Sequence, residues 1–339
     1  TAGIDGSSIS ADELVVQAAA SGNLRVAGPT ADLAVGVTSR TAATISGTSD
    51  LAVGATSLLA GTSDQLAVGG AHTVLASAAL DNAAGIAAGT SVVLGGRLSV
   101  VALAHHVLTV DAGSLGIAIG TAGNSATLGA GAEVGGATDV SLTAGSSAST
   151  TVASGGAALA SSVAVTTAGV AAGPTLQLAG DLTLVATQDA TASATGTGTA
   201  LVAARHVVTA DLDRALAAAG SLQATATGTS TTRALARAAV TARVPADVLV
   251  SLGGLGTTPI ALPVTLSGQA GVTADVRAAV RVGAGLDVAV RGGVRIEALL
   301  GGGSTAVLSG AQGLSAPGIA VNDATFTATV PSGTTITSA

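Results

Sequence analysis

Apolar and polar positions along the chain come in short alternating runs, three or four residues long and bounded by Gly, Ser, Thr or Asp, as in Leu24-Arg25-Val26, Asp32-Leu33-Ala34-Val35-Gly36 and Gln65-Leu66-Ala67-Val68-Gly69. A period of two with small or β-branched residues predicts strands, and the bounding residues predict turns. The runs recur. Gly180-Asp181-Leu182-Thr183-Leu184-Val185-Ala186 has counterparts forty-two residues earlier, at Asp139-Val140-Ser141-Leu142-Thr143-Ala144, and forty-two before that, at Arg97-Leu98-Ser99-Val100. Gly220-Ser221-Leu222-Gln223-Ala224 follows at a step of forty, and Val264-Thr265-Leu266 at forty-two beyond Leu222. Gly85–Gly89, Thr127–Gly131 and Gly169–Gly173 keep the same spacing. Two landmarks with one period identify a repeat protein.

Further strand signals lie halfway between the landmarks, at Gly116-Ile117-Ala118-Ile119, Ser162-Val163-Ala164-Val165, Ala200-Leu201-Val202-Ala203 and Leu286-Asp287-Val288. The predicted fold is therefore all-β: a right-handed parallel β-helix (β-solenoid) with rungs of about 20–22 residues paired into the 42-residue repeat. At ~4.8 Å between stacked strands, sixteen or so such rungs give a rod of roughly 75–80 Å. Residues 1–30 are predicted to be an irregular N-terminal cap or linker. Asp12–Ala20 could form two helical turns with Ser10 as N-cap, but an amphipathic coil covering the first open edge is preferred. The β-helix occupies 31–244, a loop or irregular rung with Pro245, Pro259 and Pro263 occupies 245–263, and the β-helix continues over 264–339. Asp213–Ala219 and Thr232–Val240 have good helix propensity, yet fall where the repeat requires strand.

Composition sharpens this picture. The 339 residues include one aromatic, Phe326, no Trp, Tyr, Met or Cys, and 48 Gly. Small side chains suit a narrow interior between closely stacked coils. No run of some 18 apolar residues exists, so a membrane-spanning helix is not expected, and a transmembrane barrel lacks its aromatic girdles. Thr1–Asp5 shows no secretory signal. Zero cysteines exclude disulfides and thiolate metal sites. The net charge is −7. Residues 1–200 carry three Arg against twelve acids and 201–339 nine against seven, with no dense basic stripe for nucleic acid.

Repeats of the form Gly-Asp-Leu-Thr-Leu-x-Ala with Thr/Ala/Ser-rich strands, over about residues 90–310, resemble the stalks of giant secreted bacterial adhesins of the filamentous haemagglutinin, two-partner-secretion type. The resemblance implies a right-handed parallel β-helix exported to the cell surface. Leu51–Ser57 and Gly116–Gly120 are similar to head repeats of trimeric autotransporter adhesins, whose repeat is 14–16 residues; here Gly36, Gly54 and Gly69 are 18 and 15 apart and the pattern then fades.

Candidate chemistry is sparse. His105-His106 with Asp111, and His206 with Asp211, sit in similar segments. Either each pair serves a metal or a nucleophilic Ser, or the two are equivalent strand positions whose His faces solvent or stacks on a neighbouring rung; without three convergent ligands the second reading prevails. Asp211 and Asp213 lie on one face about 7 Å apart on an extended chain, but no Gly-x-Ser-x-Gly elbow or aromatic sugar platform accompanies them. Gly135–Asp139 is a near miss to a calcium nonapeptide, and 301–303 is no phosphate loop. Thr191–Thr199 and Thr225–Thr232 could present hydroxyl rows of the ice-binding kind, but not at every rung. Arg277, Arg281, Arg291 and Arg295 could stack as a basic ladder that meets the acidic N-terminal part of another copy; the alternative is pairing with Asp275, Asp287 and Glu297. The expected function is a non-enzymatic extracellular or cell-surface protein, an adhesin stalk or a subunit of a fibre or sheath. No cofactor or metal is expected. The expected partner is a further copy, end to end or lateral, or a host or cell-surface ligand, and not nucleic acid. A trimeric autotransporter-type head, an ice-binding solenoid and a polysaccharide-active enzyme are the alternatives.

Overall fold

The computed structural model describes residues 1–28, 32–237, 241–242, 249–252, 256–259, 266–267, 269–309 and 319–338. Strands β1 (Ala2–Asp5), β2 (Ser8–Ala27), β3 (Leu33–Ser46), β4 (Thr48–Ile86), β5 (Ser91–Leu94), β6 (Arg97–Leu128) and β7 (Glu133–Gly135) form the first part. The middle holds β8 (Val140–Ser154), β9 (Ala157–Val170), β10 (Leu176–Leu178), β11 (Leu182–Gly196), β12 (Thr199–Leu212), β13 (Leu216–Ala218) and β14 (Leu222–Arg237). Then follow β15 (Thr241–Ala242), β16 (Leu249–Leu252), β17 (Gly256–Pro259), β18 (Leu266–Ser267), β19 (Gln269–Val282), β20 (Asp287–Val290), β21 (Val294–Ser309), β22 (Ile319–Thr329) and β23 (Thr335–Ser338). The helix-prone stretches at 12–20, 213–219 and 232–237 contain only strand and connecting residues.

The main sheet is wholly parallel and follows the path β21-β14-β11-β8-β6-β9-β12-β19-β22, with β1 to β5 and β7 joined beside it. β6 is the fold line. Its residues 98–112 pair with β8 and its residues 115–128 with β9, so the sheet doubles back into two facing walls. β21 and β22, at the two ends of the path, meet across the interior, so the sheet is nearly closed and barrel-like. Short strands β10, β13, β20 and β23 make a narrow third side.

The register overturns the right-handed parallel β-helix with rungs of about 20–22 residues. Leu142 stands beside Val100 and Leu184, Ala160 beside Ala118 and Val202: the neighbour is forty-two residues away, never twenty-one. The half-step in the sequence comes from the two walls, which face one another instead of stacking. Seven first-wall segments, in β2, β4, β6, β8, β11, β14 and β21, replace sixteen rungs, and at ~4.8 Å each the stack is about 30–35 Å tall. The expected stacking of Val264 on Leu222 also fails. Val264 lies outside the described residues, and Leu222 is paired with Val294. Within the expected loop 245–263, β16 and β17 pair antiparallel, as do the flanking β15 and β18, while 245–248, 253–255 and 260–263 lie outside the described residues. After this insertion the parallel register resumes between β12 and β19.

Two large apolar clusters fill most of the space between the walls, with a small third one of Ala122, Ala148, Ala164 and Ala190 besides. One contains Leu98, Val100, Leu142, Leu182, Leu184 and Leu222; the other Val74, Ala118, Ala160, Ala200 and Val272. In β8 and β11 inward and outward positions alternate without a break over fifteen residues. Alanine dominates because the facing walls leave little depth, and aligned small side chains keep the packing dense.

A buried polar stripe and a histidine without partners

Between the two apolar clusters, polar side chains run along the stacking direction. Asn82 and Asn124 are neighbours in register on the second wall and are 0% and 3% exposed. Asn82 Nδ2 donates to Asn124 Oδ1 at 2.8 Å and to the carbonyls of Ala60 and Leu103 on the facing wall. Thr62 Oγ1 donates to Asn82 Oδ1, and Asn124 Nδ2 reaches the carbonyls of Ala102 and Gly145 at 3.0 and 2.8 Å. One pass further, Thr166 takes the place of the asparagine, 2.5 Å from Ser146 Oγ and bonded by Gln188 Nε2. Each amide therefore ties its own pass to the next and one wall to the other, so these buried groups are satisfied in one register only.

The two interior histidines contrast. His206, on β12, is fully buried; Nδ1 lies 2.7 Å from Ser230 Oγ and Nε2 3.1 Å from Ser162 Oγ. His106, on β6, is 2% exposed, and among the described residues neither ring nitrogen has a hydrogen-bond partner. Burial lowers both from 6.5 to about 4; at His106 the Asp64 carboxylate pulls upward and His105 downward. Both rings are neutral at physiological pH.

His106 lies in a column with Gly22 and Asp64, neighbours across β2, β4 and β6. Asp64 occupies an inward position and is half-buried. Its Oδ1 lies 3.0 Å from where a Cβ on Gly22 would be, so the bare glycine gives the carboxylate room. On the facing wall, a Cβ on Gly120 would collide with Thr150 Oγ1 and stand 3.3 Å from His106 Nε2. Thr150 is also buried, with its hydroxyl unbonded. A cavity of about 230 Å³ extends from His106 and Asp64 past Gly22, Leu24, Leu66, Val37 and Ala78.

The segments around His106 and His206 that look alike in sequence are not equivalent. His106 is on the first wall beside Asp64 and Ala148, His206 on the second beside Ala164 and Val276. Both point inward, contrary to the expected solvent-facing or rung-stacked rings. Asp111 is exposed. Asp211 is half-buried beside Arg281, and burial pushes its carboxyl upward, against the pull of that guanidinium and with a further push from Asp213. His72 Nδ1 lies 2.8 Å from Ser114 Oγ at the exposed register shift between β4 and β6, but that hydroxyl is also 2.9 Å from the His72 carbonyl, a competing acceptor for its proton.

The four arginines of the expected ladder are not one column. Arg277 and Arg281 are on β19, Arg295 is on β21 of the opposite wall, and Arg291 follows β20. Arg277 Nε donates to Asp275 at 2.7 Å and Arg295 to Glu297, so two of the three suggested acids are engaged. The arginine that composition did not single out is Arg214, 2% exposed. Its Nε, Nη1 and Nη2 donate to the carbonyls of Ala171, Ala132 and Gly129 at 2.8, 2.7 and 3.1 Å, clamping two earlier passes at the corner. Gly173 makes this possible, since a Cβ there would meet Nη2 at 2.7 Å.

Among the described residues no group of three His, Asp or Glu converges as metal ligands, and no helix is long and apolar enough to cross a membrane. Comparison with protein-family models, with curated proteins and with solved structures returned no match.

Proposed function

We propose that the chain is a non-enzymatic structural element of a bacterial cell surface, an adhesin stalk segment or a fibre or sheath subunit, lengthened by stacking further passes on its ends. The observation that carries this reading is the state of the C-terminal end strands. Phe326 stands in register on Ala278, which is 0% exposed, yet is itself 69% exposed. Among the described residues β22 pairs only with β19, β21 only with β14 and, at the other end, β2 only with β4. Parallel edges with inward-type side chains left uncovered are templates for another strand, and a head-to-tail contact of this kind need not close. The Gly-Asp-Leu-Thr-Leu-x-Ala repeat, with its resemblance to secreted adhesin stalks, supports placement outside the cell.

Light scattering and electron microscopy against concentration test the stacking. The expected result is end-to-end oligomers of constant width, suppressed by Phe326→Lys. Protease shaving of intact cells tests the location. A chain that stays single at every concentration, in cells whose surface yields none of its peptides, would sink the proposal.

A further inference from the structure

We infer that two copies of this chain pack sheet against sheet through the outer face of the first wall, the exposed Leu103 of each seated over Gly61 of the other. Three observations converge, and none involves the ends of the stack. The first is a knob beside a hole. Leu103 points outward from β6 and is 49% exposed. Its register neighbours on both sides are glycines, Gly61 in β4 and Gly145 in β8. Leu103 leans towards Gly145, where a Cβ would stand 3.1 Å from its Cδ2, whereas a Cβ on Gly61 would have nothing within 4 Å. The knob therefore stands beside an open hollow of about 530 Å³, which runs over Gly61 and past Ala19 and Ser63.

The second is the distribution of charge. From the column through Val15, Ser57, Ser99 and Ser141 to the one through Asn23 and Ser149, the outward positions hold no Asp, Glu or Arg. Glu13, Arg97 and Asp139 mark one margin, Arg25 and Asp111 the other. A centre without charge inside a charged rim is the anatomy of a protein interface. The third is area. The first-wall segments of β2, β4, β6 and β8 lie side by side, the last of them fifteen residues long. At ~4.8 Å between strands and ~3.3 Å per residue they cover roughly 950 Å², against about 800 Å² per partner in a standard interface. These features select the occupant. A nucleic acid finds no basic stripe here, and a sugar finds no aromatic platform, because the one aromatic, Phe326, is in β22. A second flat sheet of small side chains fits at ~10 Å. A knob beside its own hollow makes the face self-complementary: a two-fold axis along the strands, midway between β4 and β6, seats both leucines at once.

Sedimentation velocity on the full chain tests the contact, with Phe326→Lys present to block stacking at the ends. That chain is expected to remain a dimer at micromolar concentration, so the lateral contact and the end-to-end one stand or fall separately. In the same background Gly61→Leu fills the hollow and Leu103→Gly removes the knob. Each is expected to weaken the dimer about tenfold or more, while circular dichroism shows the chain folded, since both sites lie on the outer face. Gly61→Leu combined with Leu103→Gly exchanges knob and hollow and is expected to restore the dimer, which a merely destabilised chain would not do. A monomer with Phe326→Lys alone would overturn the inference and leave the ends as the contact. A dimer indifferent to both single replacements would overturn it in favour of another face. A double variant as weak as the single ones would overturn the seating of Leu103 over Gly61.

Discussion

Single side chains decide how this interior responds to acid. A base held below its ordinary pKa by folding binds its proton more weakly in the native state than in the unfolded chain. His106 and His206 both fall from 6.5 to about 4. Their contribution is therefore complete above pH 6.5 and is lost as pH falls from there towards 4, by about 3 kcal/mol each. Urea midpoints across that interval should drop, and His206→Asn should flatten the slope by about half; a midpoint constant between pH 6.5 and 4 would contradict this. Arg214 gives a second expectation at this scale. Arg214→Ala leaves the carbonyls of Ala171, Ala132 and Gly129 without their donor and should cost about 3 kcal/mol in denaturant unfolding. Arg214→Lys should recover less than half of that, because an ammonium cannot span three acceptors in fork geometry. From sequence alone Asp64 is passed over and His106 is turned outward, although a signal is there: written in columns of forty-two, the two fall one above the other at the same strand parity. Arg214 leaves no such signal, because its role depends on the corner that folds beneath it, and locally Asp213–Ala219 looks helical.

At the scale of elements, the polar stripe sets the register of the strands. Apolar columns of Ala, Val and Leu tolerate a slip of two residues, since the same face still points inward. Asn82 and Asn124 do not, because their amides each reach two carbonyls of the facing wall. Asn124→Leu should cost about 2–4 kcal/mol, by removing the acceptor of one Asn82 Nδ2 hydrogen bond and the donor to the carbonyls of Ala102 and Gly145. The double replacement with Asn82→Leu should cost less than the sum of the single ones, which a double-mutant cycle in urea would measure. Strand type and the forty-two-residue step were readable from sequence, but strand length was not. Gly145 and Ser146 read as turn punctuation, yet lie inside β8, because a flat parallel wall accepts small residues anywhere on its surface. That misreading cut each pass into short strands and made facing walls look like successive rungs.

For the whole molecule, the uncovered ends and the engaged arginines lead to one expectation about assembly. Arg277 and Arg295 are already paired within the chain, whereas Phe326 is open. Self-association should then change little between low and high salt but fall sharply with Phe326→Lys, as sedimentation at several concentrations would show; strong weakening by salt would point back to charge across the joint. The fold's all-β, parallel character was foreseeable from the repeat, but the near-closure of the sheet through β6 was not, since only pairing at long range reveals which half-repeats face and which stack.

The insertion between β14 and β19 carries one more implication. Leu222 pairs with Val294 and Thr232 Oγ1 donates to Ser304 Oγ, so the parallel ladder closes over the extra chain as though nothing had intervened. Asp139 and Asp181 occupy like places ahead of β8 and β11. Excising residues 140–181 should accordingly yield a shorter molecule that still unfolds cooperatively, with its remaining neighbours re-matched. A gene encoding such a protein can gain or shed whole windings through unequal crossover, and its product changes reach without acquiring a new architecture.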